Sequence, residues 1–168
     1  RGHRAEDIAR IGVTEYYELK RIDARQAWFV IGSEVTGPMG HELIPLAHLI
    51  TPNLPEASVL LGRAITDIPA IEQAAIELAA MGCGNVLIKG GHLDTGDSDD
   101  CLYLGEERRT VILPGERIVT RNNHGTGCTL SSAIAASLAK GATIELAVRQ
   151  GKDYITGAIR AGAEYTIG

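Results

Sequence analysis

The 168 residues are 45% hydrophobic and 22% charged, proportions of an ordinary globular protein, and the length suits one domain with a substantial core. A net charge of −5 and a pI near 5.5 argue against nucleic acid or an anionic membrane as the main partner. No apolar run approaches the roughly 20 residues of a bilayer crossing, no signal-peptide layout opens the sequence, and three cysteines without scaffold spacing favour a cytoplasmic location over a disulfide framework.

Residues 1–25 are densely charged, with a short helix expected around 6–11. "AWFVI" (27–31) reads as a buried strand, "GSEVTGPMG" (32–40) as a loop, and "AHLI" (47–50) as a second apolar run stopped by Thr51-Pro52. A short helix follows over 55–61, with proline in its first turn. Ile68, Ile71, Ala75, Leu78 and Met81 step by three or four, which predicts an amphipathic helix ended by Gly82. "NVLIKGG" (85–91) is a strand breaking into a double glycine, and "CLYL" (101–104) with "RTVILP" (109–114) form a hairpin. Between them "LDTGDSDD" (93–100) lacks the calcium-loop order and reads as a solvated connection. "RIVT" (117–120) leads into "RNNHGTGC", and from Thr129 small residues with Leu130, Ile134 and Leu138 on one face predict a helix. Ile144, Val148, Tyr154, Ile155 and Ile159 mark the last one. Helices that follow strands imply an α/β fold whose largely parallel sheet is covered on both faces.

The glycines before the Thr129 helix point to chemistry. A helix start presents backbone N–H groups and the positive end of a dipole, and glycine removes the Cβ atoms that would keep an anion away. Gly125-Thr126-Gly127 is therefore expected to form an anion cradle, and the same field favours a thiolate at Cys128. Such a pairing suits phosphoryl transfer. The bland alternative is a strand-to-helix turn beside an inert cysteine. Cys83 and Cys101 are expected to be packing residues, and His41 and His48 lack the partners of a zinc site.

Three segments in register, "LITPNLPEASVLLG", "AAMGCGNVLIKGGHL" and "NNHGTGCTLSSAIAASLAKGATIELAV", resemble the ribokinase-like superfamily. Within it they look most like the hydroxymethylpyrimidine and phosphomethylpyrimidine kinases of thiamine biosynthesis. The resemblance implies a three-layer sandwich with a mostly parallel central sheet, incomplete on its N-terminal side. Residues 1–40 are unmatched, and 41–168 correspond to the C-terminal nucleotide and anion-hole half. The family's glycine-rich substrate segment and its "DPVM"-like strand end have no match, although "FVIGSEVTGPMG" stands where that strand would lie.

By resemblance, Cys128 is the catalytic base and the amides of Gly125, Thr126 and Gly127 are the anion hole. Lys89 and Gly90 meet the phosphates of ATP, with Thr120 and Asn122 as further nucleotide contacts. Asn53 and Glu56 of "NLPE" face Mg²⁺ and its waters. The implied reaction phosphorylates 4-amino-5-hydroxymethyl-2-methylpyrimidine and then its monophosphate, in a cytoplasmic homodimer acting on a small-molecule pyrimidine. Two alternatives stand beside it: a pyridoxal kinase of the same branch, and a nucleotide-binding remnant without turnover.

Overall fold

The computed structural model describes residues 17–20, 27–31, 44–91, 98–121, 124–163 and 165, the first two stretches as backbone strands. Strands β1 (Tyr17–Lys20), β2 (Ala27–Ile31), β3 (Leu49–Ile50), β4 (Asn85–Ile88), β5 (Asp100–Leu104) and β6 (Arg109–Leu113) form one sheet in sequence order. Helices α1 (Leu54–Leu61) and α2 (Ile68–Ala80) lie between β3 and β4 in sequence, and α3 (Thr126–Ala139) and α4 (Ile144–Gly162) follow β6.

Alternation along the strands creates the layers. Ile50, Val86, Ile88 and Cys101 pack with Leu54, Ile71 and Leu78 of α1 and α2. Their sequence neighbours Leu49, Leu87 and Leu102 point the other way, onto Leu130, Ile134, Leu138 and Val148 of α3 and α4. A side-chain period of two thus splits one run of apolar residues between two cores. The expected three-layer α/β sandwich is the result.

The sheet is mixed. β2, β3 and β4 are parallel, with α1 and α2 crossing between β3 and β4, whereas β1, β5 and β6 join antiparallel to their neighbours, so the sheet is less parallel than the sequence predicts. The stretch 89–99 is too short for the crossover that a parallel partner needs, so β5 must return antiparallel. The β5–β6 hairpin appears as read from the sequence, its turn including Arg108 at φ 51°. The expected helix at 6–11 and loop at 32–40 lie outside the described residues, as does His41.

Both early helices carry their own punctuation. Asn53 caps α1, and Gly62 ends it in the left-handed region at φ 66°. Asp67 caps α2 by accepting from the Ala70 N–H, and Gly82 follows its last turn at φ 111°. Cys83 and Cys101 are buried packing residues, with thiols pushed up by burial to about 11 and about 12. Among the described residues no helix is long and apolar enough to cross a membrane, and no group of three His, Cys, Asp or Glu residues could hold a metal ion.

Candidate active site

The parallel strands deliver their C-terminal ends to one place. Just past β3 and β4, Asn53 and Lys89 form an isolated parallel bridge, and the Lys89 N–H donates to the Pro52 carbonyl at 2.9 Å. This brings the start of α1 beside the Lys89 side chain. Asn53 Oδ1 accepts from the Glu56 N–H at 2.8 Å, and Glu56 Oε2 accepts from the Asn53 N–H at 2.7 Å. "NLPE" is therefore a capping box, which engages the single Asn53 side-chain oxygen and one of the two Glu56 oxygens.

Lys89 is half-buried. Burial pulls its ammonium below the ordinary lysine range, against the opposing charges of Glu56, Asp100 and Cys128.

Helix α3 starts earlier than the sequence predicts. Gly125 is its N-cap at φ 77°, so Thr126, Gly127 and Cys128 form the first turn rather than a loop before it. Glycine and threonine are poor helix formers and masked this start; a left-handed cap and tertiary packing override their propensities. Thr129 closes the turn, its N–H and Oγ1 both donating to the Gly125 carbonyl at 3.0 and 2.9 Å. Side chains cap the other three described α-helices, through Asn53, Asp67 and Thr143, whereas no side chain caps α3. Cys128 is half-buried rather than sealed in the core.

A cleft of about 910 Å³ joins these elements. Asn53, Glu56, Lys89, Thr120, Gly125, Thr126, Gly127 and Cys128 all line it, together with His124. Asn122 lies outside the described residues. Gly90 does not line the cleft: its N–H donates to Asp100 Oδ1 at 3.0 Å, and a Cβ there would meet the Asp99 carbonyl oxygen at 1.7 Å. Close approach of its own backbone, rather than of a nucleotide, explains that glycine.

Sequence reasoning missed Asp100 and Lys152, which also line the cleft. Asp100 belongs to the run read as solvated, yet it is buried and paired with Lys152 at 2.8 Å. Residues 93–97 of that run are outside the described residues. A signal existed for Lys152: it falls four residues after Val148 and three before Ile155, inside the apolar stripe of α4. Arg117 was missed as well; it lines the cleft and donates to the Gly91 carbonyl at 2.6 Å.

The residues present fit a nucleotide with its magnesium. Glu56 keeps Oε1 outside the cap on the cleft wall, with Asn53 beside it, and Mg²⁺ takes few protein oxygens while keeping waters and phosphate oxygens. Lys89 and the α3 start offer positive potential on the same cleft.

Comparison with known proteins gives one consistent pattern. The profile of the family described as "Phosphomethylpyrimidine kinase" matches residues 26–168, and one described as "NosL" matches residues 2–49. A thiamine biosynthesis bifunctional protein of Geobacter sulfurreducens is 49% identical over 118 residues, covering 70% of this chain and 24% of that protein. The hydroxymethylpyrimidine/phosphomethylpyrimidine kinase of Haemophilus influenzae is 44% identical over 128 residues, covering 75% of this chain and 48% of the other. Among solved structures, the Staphylococcus aureus pyridoxal kinase in complex with AMP-PCP and pyridoxal aligns with a TM-score of 0.77 at 32% identity. That alignment covers 87% of this chain and 56% of the kinase. The chain thus spans a quarter to rather more than half the length of these relatives.

Proposed function

This chain belongs to the phosphomethylpyrimidine kinase family, and on that footing we propose that it is the nucleotide and anion-hole half of an ATP-dependent kinase. The acceptor is the hydroxymethyl group of 4-amino-5-hydroxymethyl-2-methylpyrimidine, and then the phosphate so formed, giving the diphosphate used in thiamine biosynthesis. One observation carries the reading: the start of α3, Lys89 and the α1 cap, far apart in sequence, open on a single cleft.

Each residue has a task there. The amides at the start of α3 stabilise the negative charge that develops on the transferring phosphoryl group. Cys128 Sγ takes the hydroxymethyl proton as that oxygen bonds to phosphorus and the bond to the ADP oxygen breaks. Lys89 neutralises the nucleotide phosphates, and Thr120 and Asn122 are assigned to the nucleotide. Asn53 and Glu56 orient the waters of the magnesium ion, which when bound screens the phosphate charges. The second transfer starts from an acceptor phosphate already ionised and so depends less on a base.

A pyridoxal kinase is the second reading, favoured by the alignment with the Staphylococcus enzyme. ATP consumption by the intact protein with the hydroxymethylpyrimidine, its monophosphate and pyridoxal separates the two. Turnover of both pyrimidines supports the first reading and turnover of pyridoxal alone the second. Nucleotide binding with no turnover of any acceptor supports a non-catalytic remnant. We assign the working unit as a cytoplasmic homodimer that acts on small molecules rather than nucleic acid or membrane; sedimentation equilibrium tests the dimer.

A further inference from the structure

Lys152 lines the cleft, yet its ammonium is occupied. It donates to Asp100 Oδ2 at 2.8 Å and to the carbonyls of Ser98 and Leu113, both at 3.0 Å. An ammonium has three donors, so these partners use them all. The side chains of Lys152 and Asp100 are only 13% and 9% exposed. A buried pair of this kind is weak as a source of net stability, because desolvating two charges offsets most of their attraction. Its position is more informative than its energy.

The three acceptors of Lys152 sit at the cleft end of the sheet: Asp100 opens β5, Ser98 precedes it, and Leu113 ends β6. Asp100 uses its other oxygen to hold the Gly90 N–H at 3.0 Å, one residue past Lys89. Asp99 Oδ1 accepts from the Gly115 N–H at 3.0 Å, at the head of the segment leading to Thr120. The helix side is fixed just as closely. A Cβ on Gly151 would lie 2.7 Å from Ile134 Cγ1, so α4 sits tight on α3 immediately before Lys152. A Cβ on Gly115 would lie 2.8 Å from Lys152 Nζ, so that turn closes over the ammonium.

We propose that Lys152 is a positioning residue for nucleotide binding: through Asp100 it ties the Lys89–Gly90 strand end, the β6 end and α4 into one frame, and so sets where Lys89 meets phosphate. It acts through other groups and does not touch the nucleotide. The proposal rests on the kinase reading above.

The test compares Lys152→Met, Asp100→Asn and the double variant in the intact protein. Measurements are the melting midpoint, kcat and KM for ATP, and amide hydrogen exchange at Gly90. Lys152→Met strands a buried carboxylate and lowers the midpoint; removing both charges restores most of it. Positioning predicts that the double variant nevertheless keeps a KM for ATP raised about tenfold, with kcat within about twofold. It also predicts faster Gly90 exchange. Recovery of both KM and midpoint in the double variant would reduce the pair to a structural filler and overturn the proposal. If the double variant does not fold, Asp100→Asn decides: its amide oxygen still accepts from Gly90, and an unchanged KM with unchanged exchange sinks the idea. Should the wild type phosphorylate none of the acceptors, the kinase reading fails separately. The Gly90 exchange rates and the dissociation constant of a non-hydrolysable ATP analogue then replace KM as the deciding readouts.

Discussion

At the start of α1 the Asn53 and Glu56 side chains close reciprocally onto backbone amides, whereas α3 starts on Gly125 with no side-chain cap. Both starts face the same cleft. A side-chain cap contributes a few tenths of a kcal/mol more than glycine does, and α3 forgoes it, starting on a left-handed Gly125. Departures from local rules of this kind gather at functional sites. The contrast teaches that α1 is anchored by its own side chains while α3 begins without a side-chain cap, as the proposed anion site requires.

The strongest way to break that contrast is to give α3 the cap it lacks. Gly125→Asp places a carboxylate where the transferring phosphoryl group would sit. The expected loss in kcat/KM is about a thousandfold by steady-state kinetics. The left-handed strain of about 1–2 kcal/mol at φ 77° exceeds the few tenths a cap gains over glycine, so the melting midpoint should fall by a few degrees and is measured alongside the kinetics. Normal turnover in this variant would mean that α3 holds no phosphate.

Next comes Cys128→Ala, which removes the proposed base but leaves the helix start intact. The first transfer should fall about a hundredfold and the second only a few-fold, as read with the two pyrimidine acceptors. Equal losses would reject the division of labour between sulfur and amides.

Lys89 sharpens the comparison from the side of α1. Its pKa is depressed in the folded protein, so above that pKa it is neutral while an unfolded lysine, near 10.4, still binds its proton. The unfolded chain then holds more protons, and this group's contribution to stability rises with pH across the window. Nucleotide affinity moves the opposite way, since the cation is lost. An alkaline fall in kcat/KM for ATP should therefore begin below the ordinary lysine range, and Lys89→Arg should flatten it.

The smallest effect belongs to Glu56→Gln. Glutamine can still complete the capping box, so thermal stability should change by less than about 0.5 kcal/mol. Loss of the charge should nonetheless raise the magnesium concentration needed for half-maximal rate a few-fold. A drop in stability with an unchanged magnesium requirement would show that Glu56 is a cap and nothing more.

Much of this was legible in the residues. The helical spacing of Ile68 to Leu78 and the alternation of 101–104 with 109–113 report burial directly, because one face of each element meets a core. The lining of the cleft was legible where a motif is local, as in "NLPE" and "GTGC". It was hidden where partners meet only through the fold. Asp100 looked solvated because its neighbours in sequence are acidic, and its cation lies on α4, fifty-two residues away. Gly90 looked ligand-facing because its chain neighbour Lys89 is; the Asp99 carbonyl that claims its space becomes adjacent only when β5 folds back. The antiparallel return itself depends on how little chain joins β4 to β5.

Strand order has a kinetic corollary. Since each strand lies beside its predecessor, the β4–β5–β6 ribbon needs only brief loops to zip up, and the entropy of closing a loop grows slowly with length. Its pairing is local enough to nucleate early, ahead of the parallel β3–β4 joint that waits for α1 and α2. On that ordering, α3, which follows all six strands in sequence, docks late, onto a platform that is already set.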